Sequence, residues 1–417
     1  MFLYSGEKLN NFFIMLSFVL LTLNFKVPFF FELTLGRISF LLLIMLIIFR
    51  FNYLSINKEN LKFINLFLLY NTILFFSTII NKNSFSLSCS FLLPYIEIII
   101  LVIFFSFLIN INFNPKFMLI NLVIYSFIIN LFVLYFIIKN NAFSFIDIRR
   151  FLAKDFIFRN LNPLINTLLF LNLGSIEILF NRKSWSRSLH LISLLNSFIF
   201  IFLLLSSGSR QNMLGLIFFI CLKIIFDKKI SFKNITYILI FIFLIFFLMF
   251  FLNLDFIDWI VYRFNISLEQ ASEVKILIKP DISFDTRDFM DPRLVIWLVG
   301  LKEFLIKGNI FFGYGINSFL NSIGLYADNG YINILFETGI IGFIIIIYII
   351  SYYTKKFLNH LKKLNKKNDY YNYCIFSTFF SIFLTYTFLL NFFNEIFFYE
   401  FYWVFFIIMI NFLKNKI

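Results

Sequence analysis

Residues 310–350, IFFGYGINSFLNSIGLYADNGYINILFETGIIGFIIIIYII, decide how the rest of the chain is read. A run rich in Gly, Tyr, Asn and Asp leads into a segment apolar enough to cross a bilayer, yet that segment contains Asn333, Glu337, Gly339 and Gly342. An ionisable group inside lipid costs about 2.5 kcal/mol or more unless it is paired or faces a cavity, so its presence points to function. A helix is expected to begin near Asn329, with Asp328 and Asn329 as capping residues. At about 100° per residue, Asn329, Asn333 and Glu337 share one stripe, with Glu337 about 12 Å along the axis from Asn329 at ~1.5 Å rise per residue. Such a stripe is expected to face the interior of a bundle.

The same apolar character extends along the whole chain. Of 417 residues, 61% are hydrophobic and 14% charged, a balance that excludes a water-soluble globular protein. Windows of about 20 apolar residues place spans at roughly 10–25, 36–51, 61–80, 91–110, 117–138, 161–180, 189–206, 211–226, 235–252, 330–353, 372–391 and 396–413. The fold class expected is an all-α integral membrane protein with about 12 transmembrane helices, a single polytopic domain over residues 1–417. No A-x-A-like cleavage site follows the first apolar segment, which therefore reads as a retained helix. The cysteines Cys89, Cys221 and Cys374 have no regular spacing and the histidines are His190 and His360, a pattern that does not read as a Cys/His metal site.

The net charge of +14 is read through its distribution, as a signal of topology and not of nucleic acid. The loops at 50–62, 181–188, 227–234 and 354–371 are compact and basic, which makes them cytoplasmic and puts both termini inside. Three external features remain: the segment 139–160, the tight turn 206–212, and a long loop at 253–328. Basic residues placed there, among them Arg149, Arg150, Arg210, Arg287 and Arg293, suggest an anionic ligand at the outer face. Within the long loop, Asp291-Pro292 reads as an N-cap with Pro at N1. Leu294, Trp297, Leu298, Leu301, Phe304 and Leu305 then follow helical spacing until Gly308, which predicts an amphipathic helix on the bilayer surface.

The order of signals in this half resembles the bacterial O-antigen polymerase and O-antigen ligase superfamily, polytopic glycosyltransferases. Four stretches carry the likeness: SSGSR at 206–210, DPRLVIWLVGLKEFLIKGNIFFGYGINSF at 291–319, ADNGYINILFETGIIG at 327–342, and the long loop itself. The resemblance covers about residues 200–350. It implies a GT-C-like bundle in the cytoplasmic (inner) membrane with its active site on the extracytoplasmic face, and polyprenyl-diphosphate-linked oligosaccharides and membrane lipid as partners. A chain-length regulator is a further partner to expect. Ligases of this kind commonly carry His before the Asn that opens the late helix, whereas this chain has Asp328, which tilts the expectation towards a polymerase.

That reaction transfers a glycan from its lipid diphosphate to a hydroxyl of the next lipid-linked repeat unit. It needs the departing diphosphate neutralised and the attacking hydroxyl deprotonated. No acidic pattern such as D-x-D stands in the external segments and no cofactor is implied, so fixed cations are expected in place of a metal. Arg210 is the first candidate, with the backbone and hydroxyls of SSGSRQN beside it; the alternative is an arginine snorkelling at a membrane edge. Arg293 in the first turn of the surface helix opposes the helix dipole and is a second candidate. Arg287, among Asp285, Asp288 and Asp291, is a third or else part of an ion-pair network. Arg149 and Arg150 would draw in the second lipid diphosphate or simply touch anionic lipid.

Asp328 is the candidate base, or an ordinary helix cap. Glu337 pairs with an arginine, positions the base or makes a structural contact. Asn329 and Tyr314 support the site, and Gly313-Tyr314-Gly315 reads as a turn closing the loop onto the bundle. Gly339 and Gly342 are expected to let a neighbouring helix approach closely. Glu97 and Glu177 are acids inside spans with no partner legible in the sequence. A ligase with the same donor, and a flippase for lipid-linked oligosaccharides from another class, are the alternative readings.

Overall fold

A computed structural model describes residues 56–81, 85–108, 115–140, 148, 161–181, 185–207, 209–227, 292–306, 308–324, 327–366, 369–393 and 400–413. The predicted spans at 10–25, 36–51 and 235–252, nearly all of 139–160 and the first part of the long loop lie outside these residues, together with Arg149, Arg150 and Arg287. The helices are α1 (Lys58–Ile80), α2 (Phe85–Leu108), α3 (Pro115–Lys139), α4 (Leu161–Phe180), α5 (Arg187–Ser207), α6 (Arg210–Phe226), α7 (Pro292–Ile306), α8 (Ser318–Ile323), α9 (Gly330–Lys366), α10 (Tyr370–Leu384) and α11 (Glu400–Phe412). A π-helical turn, Thr385–Leu390, and a last short piece, Asn391–Phe393, continue α10. No strand occurs among the described residues.

Each remaining predicted span falls on one of these helices, because long apolar runs have no other way to satisfy their backbone in lipid. Among the described residues, five helices are long and apolar enough to cross a membrane: Lys58–Ile80, Lys116–Lys139, Arg187–Ser207, Gly330–Lys366 and Tyr370–Leu390. Their outward residues are apolar too. Ile79, Ile128 and Ile344 are all exposed, which suits a surface covered by acyl chains.

The chain separates into two compact units. The first contains α3 to α6 and, from Asn359 to Thr385, the end of α9 and the body of α10. A polar layer joins three of its helices. Asn130 on α3 donates to Asn172 Oδ1 of α4 at 2.9 Å and to Asn196 Oδ1 of α5 at 2.7 Å, and Asn196 donates in turn to Ser175 Oγ at 2.7 Å. Interhelical bonds of this kind are worth about 0.6 kcal/mol each in a membrane, and they fix which faces meet.

The second unit contains α1, α2 to Phe107, α7, α8, α9 to Leu358 and the chain from Tyr386 onward. One core lies between α1 and α11, where Phe63 stacks on Phe406 at 5.0 Å and meets Tyr353 edge-on at 5.8 Å. A second core gathers Ile296, Trp297, Val299 and Phe304 of α7 around Tyr314, Phe319 and Phe336. Gly300 makes this possible, since a Cβ there would stand 2.3 Å from the Phe319 ring.

Two sequence expectations need correcting. The region 354–371 is not a loop: α9 continues to Lys366, with Phe357, Leu361 and Leu364 buried and Lys355, Lys362, Lys363 and Lys366 exposed. Its apolar residues keep helical spacing while its lysines face away, so the high charge marks one helix face. The helix expected after Asp291-Pro292 is present as α7, but its apolar stripe divides. Trp297 and Phe304 are buried in protein, whereas Leu298 and Leu305, at the same spacing of seven one residue on, are exposed.

Candidate functional site

At Gly339, α9 breaks. Its φ of 66° and ψ of −169° lie in a region open only to glycine, and the break interrupts the helix's own hydrogen-bond ladder. Residues 310–315 fill the gap. Tyr314 N donates to Phe336 O and Gly315 N to Glu337 O, both at 2.9 Å, while Ile340 N and Ile341 N donate to Ile310 O and Phe311 O at 3.0 and 3.2 Å. Non-helical backbone at membrane depth requires internal partners of this kind. The fit is close: a Cβ at Gly313 would lie 2.4 Å from Gly339 N, and one at Gly339 would lie 2.3 Å from Phe311 O.

The expected turn at Gly313-Tyr314-Gly315 is therefore present, with a larger part than closing a loop. The expectation for Gly339 and Gly342 is corrected. Gly339 admits a loop and not a helix, and Gly342 makes room for Thr338 of its own helix, whose Oγ1 would be 2.2 Å from a Cβ.

The end of α1 locks the inserted segment. Ser77 Oγ donates to Glu337 O at 2.9 Å, Asn81 Nδ2 to Gly313 O at 3.1 Å, and Ile316 N to Thr78 Oγ1 at 3.0 Å. Buried Glu337 completes the lock, its carboxylate accepting from Asn317 N at 2.7 Å and from Tyr95 OH at 2.9 Å. Tyr314 is likewise a support, donating from its hydroxyl to Phe304 O at 2.8 Å and accepting from Asn309 N at 3.1 Å.

This scaffold presents the start of α9. Asn329 is the cap: its Oδ1 accepts from Tyr331 N at 3.0 Å and Ile332 N at 3.1 Å. Asp328, one residue earlier, has a left-handed φ of 47°, and Trp297 Nε1 pins the preceding residue by donating to Ala327 O at 2.6 Å. With capping done by Asn329, the Asp328 carboxylate projects from the chain, and its Oδ2 lies 4.0 Å from Arg293 Nε. Both side chains are partly exposed, 51% and 33% respectively. Desolvation by the surrounding protein raises the Asp328 carboxyl above its ordinary value, and the Arg293 charge opposes that shift.

The far side of this helix start went unrecognised in the sequence. Gly330 carries no Cβ because one would meet Asn391 Oδ1 at 2.1 Å, and Tyr331 OH donates to Thr387 O at 2.6 Å. Thr387 sits in the π-helical turn, a widening frequent at functional sites. The legible signal was the polar residues Thr387 and Asn391 inside an apolar run.

Arg210 belongs to the other unit, where it opens α6. The hydroxyls expected beside it are engaged locally: Ser206 and Ser207 donate to Phe202 O and Leu204 O, and Ser209 accepts from Asn212 Nδ2 at 2.8 Å. The same unit gives Glu177 its partner. The Lys223 ammonium, wholly buried, lies 2.6 Å from Glu177 Oε2 and 3.3 Å from Asp227 Oδ2, and donates to Ser377 and Thr378 at 2.9 Å. Glu177, Asp227 and Cys374 place ligand atoms within 4.8 Å of one another, a grouping able to hold a metal ion. Here the lysine is the cation among them. A lysine inside an apolar run four residues before Asp227 was the available signal.

Residues 195–347 match the family model described as O-antigen ligase, which supports kinship with the O-antigen ligase and polymerase superfamily. The match takes in Arg210, Arg293, Tyr314, Asp328, Asn329 and Glu337. No curated protein matches the chain.

Proposed function

We propose, from the O-antigen ligase match and the geometry around Asp328, that this membrane protein is a polysaccharide polymerase. It moves a glycan from a polyprenyl diphosphate onto a hydroxyl of the next lipid-linked repeat unit, at the outer face of the cytoplasmic membrane. The observation that carries this reading is a half-exposed Asp328 that lies beside Arg293 and leaves the capping to Asn329. A carboxylate engaged as a cap has little left for a substrate; this one is available as a general base.

In the reaction, the acceptor oxygen attacks the anomeric carbon of the donor sugar and passes its proton to Asp328. The bond from that carbon to the diphosphate oxygen breaks, and the electron pair leaves on the diphosphate. Arg293 supplies fixed positive charge for the departing group; Arg210 and Arg287 are the further candidates for diphosphate contact, and Arg149 and Arg150 would draw in the second lipid diphosphate. Glu337, Asn329 and Tyr314 hold the framework in register. The single domain, the cytoplasmic termini and the external active site are part of this proposal.

The ligase reaction is the second reading, because the matching family model bears that description. The family match lends no support to the flippase. Purified protein incubated with its native diphosphate-linked repeat unit separates the three. A ladder of products from wild type, lost in Asp328→Asn and Arg210→Ala without loss of folding, is the expected result. Transfer only onto a lipid A core would make it a ligase. Neither transfer, with movement of intact lipid-linked unit across liposomes, would overturn the enzyme.

A further inference from the structure

The Arg293–Asp328 contact has an unusual character for a pair in a candidate active site. Its 4.0 Å separation is well beyond the ~2.7–2.9 Å of a tight charge-assisted bond, and it runs through Nε. The Asp328 backbone is set without the arginine, by its left-handed φ, by Trp297 donating to Ala327 O and by the Asn329 cap that follows. The arginine stands on a different element, the first turn of α7. One partner is fixed by backbone, and the other reaches in on a long flexible stem.

We propose that Asp328 and the donor's diphosphate compete for Arg293, so that donor binding draws the arginine off and frees the carboxylate to accept the acceptor's proton. This rests on the transferase reading above. A diphosphate carries more charge than a carboxylate and takes the planar guanidinium fork bidentately, so it wins the arginine. Arg293 is the charged group that acts on Asp328 among the described residues, and it favours the ionised, weakly basic form. Tyr331, the nearest titratable group on α9, directs its hydroxyl to Thr387 O. Once Arg293 turns to the diphosphate, its opposition to the desolvation shift is removed and the carboxylate holds a proton more tightly still. The base thus gains strength only when a donor is present, and the donor binds before the acceptor.

The competition is measurable without turnover, as binding of geranyl diphosphate to the purified full-length chain in detergent from acidic to neutral pH. Wild type, Asp328→Asn, Arg293→Gln and the double variant are compared. At neutral pH, Asp328→Asn should bind about fivefold tighter than wild type, the factor set by an exposed pair worth about 1 kcal/mol. The advantage should shrink as acid protonates Asp328, and it should vanish when Arg293→Gln is already present. Asparagine keeps the left-handed backbone, so folding is preserved. Equal binding by wild type and Asp328→Asn, or an advantage that survives in the Arg293→Gln background, would overturn the competition alone. No binding by wild type at any pH would overturn both it and the donor assignment.

Discussion

Asp328 is a residue whose stability and activity should move in opposite directions. Its carboxyl is held above the ordinary value, so the folded protein binds that proton more tightly than the unfolded chain does. The resulting stability is full below the ordinary pKa and is lost as pH rises through the raised one. At neutral pH the ionised group is a net liability. Asp328→Asn should therefore raise the melting temperature slightly while abolishing transfer, and its stability gain should disappear in acid; scanning fluorimetry across pH checks this. Gly339 and Gly308 make a second comparison, as both have positive φ, at 66° and 83°. Gly339→Ala adds a Cβ 2.3 Å from Phe311 O and leaves a glycine-only region, a loss of at least about 1–3 kcal/mol. Gly308→Ala meets nothing within 4 Å, so its loss should stay near 1–2 kcal/mol from conformation alone. The Gly339 variant should melt well below the Gly308 one.

Between elements, charge decides what apolar contact leaves open. Lys223 of α6 joins Glu177 of α4 to Ser377 and Thr378 of α10. Lys223→Met would leave two buried carboxylates facing each other, a loss of about 3–5 kcal/mol. Adding Glu177→Gln and Asp227→Asn should restore most of it, and thermal unfolding of the single and triple variants in detergent shows whether it does. Such pairings mark the boundary of what the chain discloses. Helices were legible because a long apolar run admits little else, and the stripe Asn329–Asn333–Glu337 was legible because period alone aligns it; all three prove buried. The partners of Glu177 and Glu337 were not, since they come from residues 46 and 242 positions away. The Gly339 break was hidden for a related reason: one glycine in an apolar run reads as helix until the segment that replaces its hydrogen bonds is known. Asn329 and Asp328 were both recognised as caps, but only the bonds to Tyr331 N and Ile332 N decide between them.

For the whole molecule, the distribution of lysine and arginine gives a topology open to direct test. In a background lacking Cys89, Cys221 and Cys374, Asn321→Cys should react with a membrane-impermeant maleimide in intact cells. Ser186→Cys and Lys355→Cys should react only after the membrane is opened, and the reverse pattern would invert the proposed orientation. All three positions are exposed, so labelling reports the side of the membrane and not access within the fold. The segment 310–315, which supplies the hydrogen bonds missing at Gly339, has a further consequence during biosynthesis. These residues leave the ribosome before α9 does, so the filling for the gap is made ahead of the helix that needs it. An α9 released sideways into lipid alone would carry open backbone groups, which hydrocarbon penalises. Residues 310–315 and the first half of α9 should therefore enter the bilayer together. A grafted α9 without those residues should be retained by the insertion machinery or turned over.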